Sequence, residues 1–303
     1  MEIRKLSAAL GAEVVGADLR RPLAKADFAR VREAFLDHSV LVFRGQDLTP
    51  AQLVTFSEQW GPSESYRATL GDIVMKDHPV IVLSNIIENG KPLGGQDAGR
   101  YWHTDGSYVR KPAWFSALYA REVPRGDDGR PLGDTRFASM AAALEALPRE
   151  DQERLSRLTA LHKYVYRYTR RDTQLEGVSH PMILTHPVTG RRGIYVNAGF
   201  TDSVEGLPEE EGRKLLGRIY EHVEHPDFGY RHRWAVGDVV MWDNYITQHR
   251  ATGDFGPDRR RLMWRTTIQG FDLGQPPRRD RVPEASSIDQ RDPRQVAAAA
   301  GAA

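Results

Sequence analysis

The chain has 303 residues, of which 40% are hydrophobic and 27% charged, and its formal net charge at pH 7 is +1. These values are ordinary for a globular protein of one large or two small domains, and they give no support for a nucleic-acid or acidic-membrane partner. The chain contains no cysteine, which excludes disulfides, thiolate metal sites, iron–sulfur clusters and cysteine nucleophiles. Because no apolar run is long enough for a secretory signal or a transmembrane helix, we expect a soluble cytoplasmic protein.

The first elements predicted along the chain are helices alternating with short strands. Apolar residues recur at helical spacing before residue 39, and the run 39–43 has the composition of a buried strand. Thr49 and Gln52 flank Pro50 in the pattern of a capping box, so a second helix is expected to begin there. Further strands are predicted at 80–83, 116–123, 193–196, 238–242 and 263–268, and further helices at 139–160 and around 215–219.

Many short strands with turns between them favour a mainly β fold with helical decoration, of the jelly-roll type. Residues 88–100 are rich in glycine and polar side chains, and we interpret them as a mobile loop that covers a site. Strand-like sequence resumes directly after this loop, so a single domain is predicted for residues 1–280. Residues 281–303 show little apolar periodicity, and this C-terminal tail is expected to be poorly ordered.

Three residues form a candidate metal site. His103 and Asp105 are two positions apart, and their aromatic neighbours favour an extended strand in which both side chains point to one face. An isolated H-x-D pattern is a weak signal, but His249 follows a predicted strand and a short turn and offers a third ligand. Two imidazoles and one carboxylate leave three open positions on an octahedral ion, which suits non-haem Fe(II) better than zinc. We interpret the other histidines as lying at helix ends, in turns or on solvated faces.

Two arginines follow the third candidate ligand. If 263–268 is a strand, Arg261 and Arg265 share a face. A solvated basic edge strand is one interpretation of this pattern. The position directly after His249 favours another, in which two guanidinium groups bind two anions near the metal, because their planar forks match carboxylate or sulfonate oxygens.

Five motifs follow one another along the chain: W-H-T-D-G-S-Y (102–108), G-D-T (133–135), H-P-V-T-G-R-R-G-I-Y-V-N (186–197), W-D-N-Y-I-T-Q-H (242–249) and R-R-L-M-W-R-T-T-I (260–268). In this order they resemble the taurine and chlorophenoxyacetate dioxygenase family. Together with G-A-E-V-V-G-A-D-L at 11–19, they extend the resemblance from residue 11 to about residue 272. The resemblance implies a double-stranded β-helix, or cupin-like jelly roll, and an enzyme that depends on Fe(II), 2-oxoglutarate and O2.

The resemblance also implies a role for each matching residue. His103, Asp105 and His249 would be the iron ligands and thus the catalytic centre. Thr135 and Arg261 would hold the distal carboxylate of the 2-oxoglutarate co-substrate.

The primary substrate would meet three further residues, Arg265, Phe200 and Tyr66. Arg265 matches a position that binds an acidic group, and Phe200 one that lines the pocket. Tyr66 stands where taurine enzymes carry a histidine, which argues against taurine itself. The third ligand lies one residue further from Arg261 than in the taurine enzyme, which makes Arg260 an alternative, although the following L-M-W-R favours Arg261.

The reaction implied is hydroxylation of a small anionic substrate with release of succinate and CO2. The substrate would be a sulfonate, a sulfate ester, an aryloxyalkanoate or another carboxylate, and the resemblance implies a homo-oligomer, a dimer or a tetramer. Two other functions compete with this one. A divalent-metal hydrolase would use the same ligands but leave Arg261 and Thr135 without a role. A non-catalytic jelly-roll binding protein would have no need for three converging ligands.

Overall fold

A computed structural model of the chain describes residues 1–64, 70–96, 99–164 and 177–283. Tyr66 and residues 284–303 of the predicted tail lie outside the described residues, as do two residues of the predicted loop, 97 and 98. Over the described ranges the fold is mainly β with a few helices, as predicted from the sequence.

Strands make up most of the regular structure, and each is short. They are β1 (Glu2–Lys5), β2 (Ala12–Val15), β3 (Val40–Phe43), β4 (Ile81–Ser84), β5 (Ile87–Glu88), β6 (Lys91–Pro92), β7 (Phe115–Glu122), β8 (Thr135–Ser139), β9 (Thr159–His162), β10 (Val178–Pro181), β11 (Ile183–Thr185), β12 (Arg192–Ile194), β13 (Thr201–Val204), β14 (Gly229–His232), β15 (Val239–Asp243), β16 (Thr247–Ala251) and β17 (Leu262–Ile268). The helices are α1 (Lys25–His38), α2 (Pro50–Glu58), α3 (Met140–Glu145), α4 (Arg149–Leu155) and α5 (Glu209–Val223), with 3-10 turns at Gly71–Ile73 and Pro226–Phe228.

The largest sheet has seven strands in the order β1-β2-β3-β15-β7-β17-β4. Its pairs are antiparallel except for β2 and β3, which run parallel. One three-stranded sheet, β14-β8-β16, contains His249, the third candidate ligand, on β16. A second three-stranded sheet has the order β10-β9-β13. Two hairpins, β11-β12 and β5-β6, complete the described pairing.

The seven-stranded sheet is buried on both faces. On one face, Phe35 of α1 packs edge-on against Trp60 and Phe115, with ring centroids 5.2 Å and 5.6 Å apart. On the other face, Phe137 of β8 joins Trp242 and other side chains of the large sheet in a second cluster. The small sheet β14-β8-β16 therefore packs against the large one, and this contact fixes the strands that carry the site.

The predicted capping box at the start of α2 is confirmed. The Thr49 side chain accepts a hydrogen bond from the backbone N–H of Gln52, and the Gln52 side chain accepts one from the backbone N–H of Thr49. The helix predicted over 139–160 is wrong in extent, because α3 ends at Glu145 and α4 begins after Pro148. A proline has no N–H for a preceding helical turn, so it starts a new helix here. The final residues of that range already belong to β9.

The predicted loop at 88–100 is also partly wrong, since its first residues pair in the hairpin β5-β6 around Asn89 and Gly90. Both turn residues have positive φ, the conformation that tight hairpin turns require. Within the part of the chain that the structure covers, no helix combines the length and the apolar character needed to cross a bilayer.

Candidate functional site

The three candidate ligands converge. His249 lies on β16, and His103 pairs with it in a single antiparallel bridge whose two N···O distances are 3.1 Å and 2.9 Å. The predicted strand at 103–105 is wrong, because the chain turns at Asp105 directly after this bridge. The turn nevertheless brings the carboxylate inward, and one donor atom from each residue lies within 4.8 Å of the other two. Asp105 Oδ1 is 3.7 Å from His103 Nε2, and Asp105 Oδ2 is 4.0 Å from His249 Nε2.

Both imidazoles are in the form that binds a metal. His103 Nδ1 is 2.9 Å from the backbone carbonyl of Tyr101. A carbonyl only accepts, so Nδ1 carries the hydrogen and Nε2 keeps its lone pair on the side facing Asp105. Burial lowers the pKa of His103, against the opposing effect of Asp105, and burial also lowers the pKa of His249 well below its usual value. Neutral imidazoles are the ligands that a divalent cation needs.

The carboxylate of Asp105, the remaining candidate ligand, is ionised. Burial acts to raise the pKa of Asp105, but the charge of Arg265 and the hydrogen bond from Ser116 act against it, and the pKa lies below the usual range. Arg265 Nη1 donates to one carboxylate oxygen at 3.1 Å, and Ser116 Oγ donates to the other at 2.6 Å. Two neutral nitrogens and one carboxylate in a buried site fit the Fe(II) that the sequence predicts.

Asn244 holds the turn that carries Asp105, and the sequence argument gave it no role. Its side-chain oxygen accepts from the backbone N–H of Asp105 at 3.2 Å and from Trp242 Nε1 at 3.1 Å. Its backbone carbonyl accepts from Thr104 Oγ1 at 2.5 Å. Asn244 stands in the motif W-D-N-Y, which was the available signal, but its partners Thr104 and Asp105 lie about 140 positions away in the chain.

A cavity of about 700 Å³ lies near the end of β16. Ala251, two residues after His249 on β16, lines it, and residues two apart on a strand share a face. Arg261 also lines the cavity, and its backbone is held by Asn85, whose side chain accepts from the Arg261 N–H at 2.9 Å. Its buried Nε has no acceptor among the residues that the structure describes. Burial lowers the pKa of Arg261 to about 10, and within the described residues no carboxylate opposes this shift.

The neighbouring Arg260 also lines the cavity, but its guanidinium already has a partner. Its side chain is 56% exposed and makes a two-pronged ion pair with Glu122, with distances of 2.9 Å and 3.0 Å. The geometry therefore favours Arg261 over Arg260 as the residue that meets an anion in the cavity.

Thr135 begins β8, directly opposite Ala251 of β16. Opposite residues of an antiparallel pair present their side chains to the same face, so Thr135 lies on the cavity side of the sheet. Its hydroxyl is buried and accepts a hydrogen bond from Trp234 Nε1 at 3.1 Å.

Phe200 borders the triad within an aromatic wall. Its ring centroid is 5.8 Å from that of His103, 6.0 Å from Tyr101 and 4.8 Å from Tyr108. Tyr164 stacks nearly parallel to it at 6.0 Å. The backbone N–H of Phe200 donates to Asn197 Oδ1, which fixes this wall to the last residue of the motif at 186–197. The predicted pocket position therefore lies next to His103, one of the candidate ligands.

The interpretation of the other histidines as lying at helix ends, in turns or on solvated faces is wrong for His162, His180 and His232, which lie on strands, whereas His186 does precede a turn. His162, His180, His186 and His232 are all buried. His186 and His232 bond to the carboxylates of Asp243 and Asp238, at 2.8 Å and 3.0 Å. The partner of His186 lies 57 positions away, so nothing near it in the sequence reveals the pair.

Residues 2–267 match the family model for the taurine catabolism dioxygenase TauD, TfdA family. The chain is 35% identical over 274 residues to the alpha-ketoglutarate-dependent 2,4-dichlorophenoxyacetate dioxygenase of Cupriavidus pinatubonensis, covering 83% of this chain and 92% of that protein. The structure of a taurine dioxygenase from Burkholderia xenovorans matches with a TM-score of 0.75 and 33% identity, over 89% of this chain and 91% of that one. AAD-2 in complex with Mn(II) and N-oxalylglycine matches with a TM-score of 0.76 and 31% identity, over 90% and 100%.

The chain therefore belongs to the TauD/TfdA family of dioxygenases. It is an Fe(II)- and 2-oxoglutarate-dependent oxidoreductase that uses O2, as the five motifs predicted. The comparisons support this class and neither the hydrolase nor the non-catalytic binding protein.

Proposed function

We propose that this dioxygenase hydroxylates a small organic anion that has an apolar body. Arg261 carries the proposal: it is a buried cation in the wall of the cavity near the end of β16, and within the described ranges no carboxylate opposes the effect of burial on its pKa. A buried charge without a partner is costly, and a bound dicarboxylate would supply the missing anion. His103, Asp105 and His249 would hold Fe(II), which supplies the activation of O2 and the oxidative decarboxylation of 2-oxoglutarate to succinate and CO2.

Arg261 and Thr135 would fix the far end of 2-oxoglutarate. The guanidinium offers two parallel donors to a carboxylate, and a hydroxyl on the same face of the sheet adds a third. Fixing this end sets the position of the keto acid end relative to the triad, since the co-substrate is short. The protein would thus contribute orientation before any bond changes.

The primary substrate would lie between Arg265 and the aromatic wall. The side chain of Arg265 is only 16% exposed, and a partly desolvated guanidinium binds an anion more strongly than an exposed one. Phe200 and its neighbouring tyrosines would contact the apolar body and exclude water from it. Tyr66 remains a proposed pocket residue on the sequence resemblance alone.

The substrate classes that suit this arrangement are sulfonates, sulfate esters, aryloxyalkanoates and other carboxylates. The relatives support this range, since one is named for 2,4-dichlorophenoxyacetate and another for taurine. Both compounds are small organic acids in which the carboxylate or sulfonate is bonded to a CH2 group. The aromatic wall gives additional weight to substrates with an apolar or aryl body.

The proposal also covers the fold, the number of domains, the oligomeric state and the cellular location of the protein. The facing sheets and the family membership support a double-stranded β-helix, and the match over residues 2–267 supports a single catalytic domain over 1–280. A homo-oligomer, dimer or tetramer, and a cytoplasmic location are inferred from the family resemblance.

A substrate panel tests the proposal. Fe(II)-reconstituted protein is given 2-oxoglutarate, O2 and one candidate at a time, and succinate is measured. We expect at least one anion of the four classes to raise succinate formation well above the uncoupled rate, and its uncharged amide or alcohol analogue not to do so. Equal stimulation by charged and uncharged members of a pair would overturn the role of an anion site.

A further inference from the structure

Trp234 lies directly behind Thr135, in the segment between β14 and β15. The two side chains are 1% and 4% exposed, and Trp234 Nε1 is 3.1 Å from Thr135 Oγ1. An indole N–H only donates, whereas a hydroxyl has one hydrogen and two acceptor sites. The Thr135 oxygen must therefore accept from Trp234, and the hydroxyl hydrogen is turned away from the indole.

The cavity lies on the face of the sheet that Thr135 shares with its partner Ala251, which lines the cavity together with Arg261. Gly133, two residues before Thr135 in the chain, also lines it, and a Cβ placed there would be 3.3 Å from Arg261 Nε. The hydroxyl and the guanidinium thus approach one end of the cavity as two hydrogen-bond donors.

A buried pair holds the indole in place. The ring of His232 meets that of Trp234 edge-on, with centroids 4.5 Å apart and planes at 83°. His232 Nε2 is 3.0 Å from Asp238 Oδ2, and the same oxygen accepts the backbone N–H of Ala235 at 2.8 Å. The orientation of the indole is therefore fixed from behind by groups that do not reach the cavity.

We propose that Trp234 is a positioning residue for 2-oxoglutarate: its indole N–H fixes the Thr135 hydroxyl as a donor to the distal carboxylate. This inference rests on the proposed role of Thr135 in binding that carboxylate. It implies selectivity as well as affinity, because a hydroxyl held as a donor meets a carboxylate oxygen but is poorly matched to the NH2 of an amide. Freed from the indole, the same hydroxyl could rotate and accept from that amide.

The test compares ligand binding to Mn(II)-loaded variants by calorimetry, using 2-oxoglutarate and its 5-amide, 2-oxoglutaramate. Trp234→Phe keeps an aromatic ring against His232 and removes the N–H. We expect it to weaken 2-oxoglutarate binding about 3- to 10-fold, the range for one net hydrogen bond, and to narrow the preference for the acid over the amide. Trp60→Phe is the matched control, since Trp60 is equally buried and its Nε1 has no acceptor within the described ranges. It should change neither quantity.

Two further variants separate the inference from its basis. Thr135→Val should weaken 2-oxoglutarate binding, and Trp234→Phe should then have no further effect on the affinity. Thr135→Ser should restore both the affinity for 2-oxoglutarate and its sensitivity to Trp234→Phe. If Thr135→Val binds like the wild type, the proposed role of Thr135 is wrong. If Thr135→Val weakens 2-oxoglutarate binding, but Trp234→Phe has the same affinity for 2-oxoglutarate and the same preference for the acid over the amide as Trp60→Phe, only the role of Trp234 is wrong. Should Trp234→Phe not fold, replacing Trp234 by benzothienylalanine removes the donor from a ring of the same shape, and the same two outcomes apply.

Discussion

The guanidinium of Arg265 lies 3.1 Å from the carboxylate of Asp105, so the proposed substrate-anion site and the metal site share a contact. Both side chains are largely buried, at 16% and 9% exposure. Arg265 helps to keep the Asp105 carboxylate ionised, and in the proposed function it also binds the acidic group of the substrate. An anion bound there would thus lie next to the metal ligand, within reach of oxidation.

Replacing Arg265 by alanine is expected to abolish most turnover of an anionic substrate while 2-oxoglutarate still binds. Removing one partner of a buried charge pair costs about 2–5 kcal/mol, which corresponds to a loss of kcat/KM of about 30-fold or more. Arg260→Ala is the control, because that side chain is exposed and pairs with Glu122. Full activity of Arg265→Ala on every anionic substrate would contradict the assignment of Arg265.

Arg261→Met should raise the KM for 2-oxoglutarate by about 30-fold or more, since the distal carboxylate loses a largely buried charged partner. Arg261→Lys should recover part of the loss, because it restores the charge but not the two-pronged geometry. Steady-state kinetics at saturating primary substrate give both values. Arg260→Met serves as the neighbouring control, and an effect there with none at Arg261 would show that the two roles are reversed.

Gly199→Ala is expected to disturb the metal site. A Cβ at this position would lie 2.5 Å from the ring of Tyr101 and 2.9 Å from the Cβ of His103, so the histidine must shift. We expect weaker Mn(II) binding, together with a loss of stability of about 1–3 kcal/mol from overpacking. Gly217→Ala on α5 meets nothing within 4 Å and should raise stability by up to about 1 kcal/mol. Unchanged Mn(II) affinity in Gly199→Ala would refute this packing argument.

The buried pair His162 and His180 should make the protein sensitive to acid independently of the metal. Burial lowers their pKa values to about 3 and about 4, while in the unfolded chain they protonate near 6.5. As the pH falls from 6.5 towards 4, the unfolded state therefore binds more protons, and the free energy of unfolding decreases. The expected slope is on the order of 1 kcal/mol per pH unit for each histidine. His180→Gln should flatten that slope in metal-free protein, and an identical slope would contradict the buried, neutral state.

The sequence predicted local features of the fold better than distant ones. The capping box at Thr49 depends on residues three positions apart, and it was found. The break at Pro148 was overlooked because apolar spacing continues across it, although proline alone signals a boundary. The strand predicted at 103–105 was wrong because the chain turns at Asp105, directly after the bridge between His103 and His249.

The residues proposed to take part in the chemistry could be predicted from the sequence, whereas most of the hydrogen bonds that hold them in place could not. The triad and Phe200 were predicted from motifs, and the structure brings the three candidate ligands together with Phe200 beside His103. The buried contacts of Asn244 and Trp234 were not foreseen, because each of these hydrogen bonds joins segments about 100 or more positions apart. The contact of Ser116 with Asp105 spans only 11 positions, but no motif indicates it. Such supporting contacts depend on the packing of the two sheets.

An anaerobic titration tests the central claim most directly. Fe(II) and then 2-oxoglutarate are added to metal-free protein while the visible absorption is recorded. We predict a weak charge-transfer band in the wild type and in Arg260→Ala, and no band in His103→Ala, which lacks one of the converging ligands. The absence of a band in the wild type, together with no consumption of 2-oxoglutarate on admission of air, would contradict the assignment of this site.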